Sequence, residues 1–294
     1  MVDNFGPEEP NVPQLVTDHR ELAEIVRQTR GAGRSIGLVP TMGALHEGHL
    51  SLVRRSVSRG DLVVVTIFVN PTQFGPSEDF AKYPRTLESD LALLAEAEAD
   101  VVFAPAADQI YRPGFSTYVE PPEVAHPLEG RCRPGHFRGV ATIVLKLFHL
   151  VPADVAYFGQ KDFQQTRVIE TMVEDLDVPI RIEVCPTVRE ADGLAMSSRN
   201  RYLSAGERQQ ALAVSRSLAR ATALFRDGQC DAAALRAAME QVLAEAHLTR
   251  IDYAAIVDPR KLTDVTRADK ESMALIAAFV GSTRLIDNCR LGEG

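Results

Sequence analysis

The sequence predicts an α/β protein in which a parallel, helix-covered sheet is followed by a smaller α+β unit. Apolar, β-branched runs alternate with amphipathic helical segments as far as about residue 184. The run DLVVVTIFV, residues 61–69, is almost continuously apolar, as expected of a strand covered on both faces. Beyond about Val188 two helical patterns follow one another directly, which breaks the strand-helix-strand rhythm and marks a second unit.

Each element has its own signal. Residues 1–14 place three prolines among acidic and small residues and read as a loose arm. Asp18 with Glu21 forms a capping box; Leu22, Ile25, Val26 and Thr29 recur at helical spacing, and Gly31 and Gly33 close that helix. A strand at 35–39 runs into Pro40, Leu50, Leu52 and Val53 mark a helix behind it, and 61–69 is the next strand. Leu87, Leu91 and Leu94 then define a helix, 101–104 a strand, 139–151 a buried helix and 155–158 a strand. Ile169, Met172, Val173 and Leu176 form one more helical stripe before a strand at 180–184. In the second unit Ser204 with Glu207 caps a helix carrying Val214, Leu218, Ala221 and Phe225, and Leu235, Met239, Val242 and Ala246 mark another. Strands are expected at 251–257, 273–280 and 284–289. The organisation expected is thus an arm over 1–14, a parallel-sheet domain over 15–188 and a smaller α+β domain over 189–294, with ligands beyond the carboxyl ends of the parallel strands.

Composition narrows the classes of function. Over 294 residues the formal net charge is −8, which speaks against a broad grip on nucleic acid or an anionic membrane, so any phosphate chemistry must come from a local pocket. Cys132, Cys185, Cys230 and Cys289 lie far apart without a CxxC pair, which disfavours a disulfide framework or a cysteine zinc site. The N-terminus does not read as a signal peptide. The longest apolar stretch, residues 139–151, is interrupted by Lys146 and His149 and falls short of a membrane span. A reduced, cytoplasmic setting is expected.

Three clusters carry chemistry. Pro40-Thr41-Met42-Gly43-Ala44-Leu45-His46-Glu47-Gly48-His49 follows a strand and opens a helix, where free N–H groups and the positive dipole end favour phosphate oxygens. Gly43 permits a tight turn and Gly48 a close ligand; His46 and His49, three apart, project to the same side and can donate hydrogen bonds to a phosphate gaining charge. A metal pair is the competing reading, but HxxH lacks the HExxH spacing and a neighbouring ligand cluster. Phe158-Gly159-Gln160-Lys161-Asp162 occupies the same place after a later strand. Lys161 offers a mobile positive charge, whereas Asp162 reads equally as a ligand contact or as a helix cap completed by Gln165. Met196-Ser197-Ser198-Arg199-Asn200 supplies two hydroxyls and a guanidinium suited to a polyphosphate. Asn70 and Gln73, at a strand end, sit where substrate polar groups are read, with an Asn-Pro turn as the plain alternative. The Gly-, Pro- and Arg-dense segment 128–139 reads as a flap over a pocket or as a surface loop.

Taken in order, PTMGALHEGH, IFVNPTQF, YPRT, GHFRGVATIVLKLF, FGQKDFQQ and PTVREADGLAMSSRNRYL resemble the pantoate:beta-alanine ligase (pantothenate synthetase) family, from about residue 15 to the C-terminus. The resemblance implies a Rossmann-like domain of the HIGH-motif nucleotidyltransferase-like superfamily, with His46-Glu47-Gly48-His49 in place of HIGH and MSSR in place of the second signature. It implies that pantoate and ATP form pantoyl adenylate and pyrophosphate, that beta-alanine then displaces AMP, that magnesium accompanies ATP, and that the enzyme is a cytoplasmic homodimer. Met42, Gly43, Ala44, Leu45, His46, Glu47, Gly48 and His49 would line the ATP site, with His49 as proton donor, His46 at the α-phosphate and Lys161 as a third catalytic group. Gly159, Gln160, Lys161, Asp162, Val188, Met196, Ser197, Ser198 and Arg199 would hold the nucleotide; Gln73, Gln165 and Asn70 would bind pantoate, and Gln73 beta-alanine too. Many members carry Glu in place of Gln160, and the resemblance assigns the metal no protein ligand. A plain nucleotidyltransferase or a silent nucleotide-binding module on this scaffold are the rival readings, whereas the acidic charge leaves no surface for tRNA.

Overall fold

The computed structural model describes residues 12–76, 78–248 and 250–293. The elements run β1 Gln14–Val16, α1 His19–Gly31, β2 Ile36–Thr41, α2 Glu47–Val57, β3 Leu62–Ile67, α3 Leu87–Glu96, β4 Val101–Phe103, α4 Ala107–Ile110, α5 Glu129–Cys132 and α6 His136–Leu150. Then come β5 Val155–Gly159, α7 Phe163–Asp175, β6 Arg181–Cys185, α8 Ala205–Arg226, α9 Ala232–Glu245, β7 Ile251–Val257, β8 Met273–Val280 and β9 Thr283–Arg290. Single 3₁₀ turns join several of them, among them Pro71–Gln73, Asp79–Lys82, Gln160–Asp162 and Ser198–Tyr202.

Strands β1 to β6 form one parallel sheet in the order β1-β4-β3-β2-β5-β6, and β7-β8-β9 form an antiparallel sheet. The middle of β3 is fully buried, as its two-sided apolar run requires. From β2 the chain goes one way to β3 and β4 and later returns to lay β5 and β6 on the other side. The order therefore reverses between β2 and β5, and a crevice opens beyond their carboxyl ends.

Two sequence expectations change. The arm expected over 1–14 ends sooner, because Gln14 already pairs with Val101, and its N–H donates to the carbonyl of Asp100 at 2.8 Å. A three-residue edge strand is too short to show a period. Residues 1–11 of that arm lie outside the described residues. The segment 128–139 is neither a free flap nor a plain surface loop: it forms α5 and the start of α6 around Glu129, which is 6% exposed. Glu129 accepts two hydrogen bonds from Arg284 of β9 at 2.7 and 2.8 Å and one from the Tyr253 hydroxyl of β7 at 2.7 Å. An apolar cluster including Leu128, Phe163, Val257 and Leu275 packs at the same junction, so the antiparallel sheet is fastened to the parallel one beside the crevice. Among the described residues no helix is long and apolar enough to cross a membrane.

Burial raises the pKa of Glu129, but the Arg284 guanidinium outweighs it and holds the carboxyl below the usual range. The stabilisation is complete above the unfolded carboxylate pKa and is lost as pH falls through the folded one. Glu129→Ala leaves Arg284 and Tyr253 without their shared acceptor and should destabilise the protein by about 3–5 kcal/mol, read as a lower urea midpoint. Glu24→Ala, which breaks only exposed contacts with Arg27 and Gln28, should leave that midpoint in place.

Candidate active site

The crevice at the strand reversal is a cavity of about 230 Å³ whose wall includes His46, His49, Gln73, Lys161, Gln165 and Arg199. Three separated segments meet there, as the sequence motifs require. The turn after β2 is held in a demanding conformation: Gly43 has φ +79° and Ala44 φ +52°, both left-handed. Asp90 of α3 fastens it, accepting from the Ala44 N–H at 3.0 Å and from the Leu45 N–H at 2.8 Å. A Cβ on Gly43 would come within 3.0 Å of the Asp90 carboxylate, so the glycine serves the turn and its anchor together.

His46 caps α2. Its Nδ1 accepts from the Gly48 N–H at 3.2 Å, while its own backbone N–H donates to Nδ1 of His49 at 3.3 Å. The ring centroids lie 4.1 Å apart. With both Nδ1 atoms accepting, each ring carries its proton on Nε2. Burial lowers the His46 pKa to about 4, assisted by the Lys161 charge; burial lowers that of His49 to about 3, assisted by His46 and Lys161. At neutral pH the pair is thus two neutral hydrogen-bond donors. The proton-donor role that the resemblance assigns to His49 becomes, in the free protein, hydrogen-bond donation from Nε2. Gly48 serves the ring before any ligand, because a Cβ there would stand 2.9 Å from Cε1 and 3.0 Å from Nδ1 of His46.

The segment after β5 presents Lys161, with Nζ 3.8 Å from the Asp162 carboxylate, and open space at the Cβ position of Gly159. Asp162 does not cap α7 with its side chain: residues 160–162 turn as 3₁₀, and its φ of −97° and ψ of 54° are not the extended geometry of a capping residue. Of the two readings of Asp162, the one left is the carboxylate in the cavity wall. Asn288 of β9 donates to the carbonyls of Gln160 and Lys161, both at 2.9 Å, so the antiparallel sheet positions this loop. The third segment folds back on itself: the Met196 N–H donates to the Val188 carbonyl at 3.0 Å, and the Ser197 hydroxyl accepts from the Arg199 N–H at 3.3 Å. The Arg199 guanidinium is held by Asp79 at 3.0 and 3.1 Å, so a phosphate must compete with that carboxylate.

Five expected nucleotide contacts stand back from the cavity wall. Gly43, Ala44 and Leu45 turn their N–H groups to Thr41 and Asp90, Glu47 pairs with Arg54 at the surface, and the Gln160 carbonyl is taken by Asn288. Asn70 touches the wall, yet both ends of its amide are committed within the protein, and it caps the turn Pro71–Gln73 as the Asn-Pro reading anticipated. Met42, Gln73, Gln165, Val188, Met196, Ser197 and Ser198 line the cavity. Sequence reasoning missed Asp79, Tyr83, Arg133, His136, Thr187 and Asn288. Asp90, in the first turn of α3, belongs with them and is 1% exposed. His136 donates from Nδ1 to the Gln73 carbonyl at 2.9 Å and accepts at Nε2 from Arg133 at 3.1 Å; burial and then Arg133 lower its pKa to about 4. The motifs YPRT, GHFR and PTVR contain Tyr83, His136 and Thr187, whereas Asp79 and Asn288 lie in none of the quoted motifs.

Residues 14–290 match the family model of the pantoate-beta-alanine ligases. The chain belongs to this family. It is 55% identical over 275 residues to a pantothenate synthetase of Acidobacterium capsulatum, covering 94% of this chain and 92% of the relative. The fold is similar to that of pantothenate synthetase from Thermus thermophilus, with a TM-score of 0.89 and 42% identity over 95% of this chain and 100% of the other. It is also similar to a pantoate-beta-alanine ligase from Francisella tularensis complexed with beta-gamma ATP and beta-alanine, with a TM-score of 0.78 and 34% identity over 96% and 99% of the two chains.

Gly48→Ala displaces the His46 ring and should cut ligase kcat/KM at least tenfold, while the helix-favouring alanine leaves the urea midpoint almost unchanged. Because His46, His49 and His136 have folded pKa values below the unfolded one, the unfolded chain takes up protons first. Stability should fall as pH drops from about 6.5 towards 4, and the urea midpoint of His136→Gln should fall less steeply over that range.

Proposed function

We propose that this chain joins (R)-pantoate to beta-alanine at the expense of ATP, through pantoyl adenylate, giving pantothenate, AMP and pyrophosphate. The observation that carries the reading is the convergence on one cavity of neutral Nε2–H donors from His46 and His49, the Lys161 charge, and the amides of Gln73 and Gln165. Family membership and the ATP and beta-alanine of the Francisella tularensis complex support it.

In the first step a pantoate carboxylate oxygen bonds to the α-phosphorus of ATP as the bond to pyrophosphate breaks. His46 and His49 donate hydrogen bonds to phosphate oxygens as charge builds on them, and Lys161 neutralises the departing phosphates. Arg199 exchanges Asp79 for phosphate when the nucleotide enters. Val188, Met196, Ser197, Ser198 and Gly159 enclose the nucleotide, and Gln73 and Gln165 hold pantoate. In the second step the beta-alanine ammonium first loses a proton to solvent and the neutral amine attacks the acyl carbon; as the acyl–oxygen bond to AMP breaks, the nitrogen gives up a second proton to solvent and the amide remains. Among the described residues no three His, Cys, Asp or Glu side chains gather as a metal site, and magnesium enters as part of the ATP substrate. Residues 15–188 act as the nucleotide-binding unit and 189–294 as a smaller unit that positions its loops, and the enzyme works as a cytoplasmic homodimer.

The protein incubated with ATP, magnesium, pantoate and beta-alanine should form pantothenate, AMP and pyrophosphate in equal amounts. AMP without the amide product, or no AMP at all, refutes the reading. His49→Ala and Lys161→Ala should each lower the rate of adenylate formation by about 10²–10³ with the urea midpoint retained.

A further inference from the structure

Resting on the ligase reading above, we infer that Asn70 and Tyr111 are positioning residues that set the polarity of the Gln73 amide, so that the cleft is offered N–H donors and selects acid or hydroxyl oxygens at that point. Asn70 is 1% exposed. Its Oδ1 receives the Tyr111 hydroxyl at 2.8 Å, the Thr72 hydroxyl at 2.9 Å and the Thr72 N–H at 3.4 Å. Its Nδ2 donates to the Gly139 carbonyl at 3.2 Å and to Gln73 Oε1 at 2.9 Å. Turning the Asn70 amide over would set its NH₂ group against the Thr72 N–H and its oxygen against the Gly139 carbonyl, two main-chain groups that cannot change role as the Tyr111 and Thr72 hydroxyls can. Buried groups facing like partners are costly, so one orientation holds.

The orientation passes to Gln73. Because Asn70 donates to it, Oε1 of Gln73 is taken as an acceptor within the protein, and Nε2 is the end left to present. One Nε2 hydrogen is directed to Sδ of Met42 at 3.1 Å, a weak acceptor, and the other is available to a ligand in the cavity. The main chain of Gln73 is held independently by His136, so its amide has little freedom to search for another arrangement. An N–H donor at this point accepts a carboxylate or hydroxyl oxygen and rejects an ammonium. Gln73 therefore meets pantoate through its oxygens, and any contact with beta-alanine is through the carboxylate end. Gly139 completes the device: a Cβ there would lie 2.4 Å from the Thr72 carbonyl, so α6 can approach closely enough for its Gly139 carbonyl to reach Asn70.

The test uses Tyr111→Phe and Asn70→Asp, each alone and combined with Gln73→Ala, with kcat/KM measured for pantoate and for ATP by pyrophosphate release. Asn70→Asp removes the donor to Gln73 and should lower kcat/KM for pantoate by about tenfold or more, with that for ATP changed less than about twofold. Tyr111→Phe should show the same split at roughly threefold. Both effects should vanish when Gln73 is already alanine. An equal loss for ATP, no loss for pantoate, or a loss that survives in the Gln73→Ala background overturns the inference. Should the wild-type protein release no pyrophosphate with pantoate, the ligase reading fails, and the polarity is decided by sub-ångström crystal structures. These should show Nε2 of Gln73 towards the cleft in wild type and Oε1 in Asn70→Asp; the same orientation in both overturns it.

Discussion

The buried Asp90 carboxylate is the interaction on which the site depends. It takes the N–H groups of Ala44 and Leu45 inside the protein, where neither can reach water. This holds a non-glycine residue in left-handed geometry and delivers His46 to the first turn of α2. From there the main chain and the two imidazoles lock one another: Gly48 into Nδ1 of His46, and the His46 backbone into Nδ1 of His49. The outcome is a pair of aligned Nε2–H donors that need no reorganisation to meet a developing negative charge.

Positive charge in the crevice is held under the same constraint. In a chain of net charge −8, four arginines around the crevice are bound to carboxylates: Arg199 to Asp79, Arg133 to Glu78, Arg284 to Glu129 and Arg189 to Asp287. Lys161 is held more loosely, 3.8 Å from Asp162. The cavity is therefore not a broad basic surface. It is a place where a polyphosphate finds hydrogen-bond donors, one mobile ammonium, and an arginine it can win from Asp79. The antiparallel sheet supports this arrangement from outside through Asn288 and through the Glu129 junction.

How legible this was depends on the range of each interaction. The alternating sheet and helices, the long capped helix α8 and the three contacting motifs follow from local patterns and were readable. The Asp162 capping box failed because a 3₁₀ turn precedes α7, and turn type depends on what packs against it. The edge strand β1 was too short to show a period. Glu129 lay in a segment whose glycines and prolines suggested exposure, yet its partners stand 124 and 155 residues further along the chain. Asn70, at a strand end, reads both as a substrate contact and as an Asn-Pro turn; its neighbours decide, because both ends of its amide are already used.

The sequence by itself determined the fold class, the three phosphate-directed motifs and the family, because these rest on periodicity and on residues adjacent in the chain. Tertiary structure decided which motif residues face the cavity, the neutral state and tautomer of the histidines, and the polarity of Gln73. Those properties depend on burial and on hydrogen-bond partners dozens of residues away, such as Asp90 for the β2 turn and Gly139 for Asn70. A linear pattern cannot specify which donor meets which acceptor across such distances; the packed chain does, because a buried polar group must find a partner.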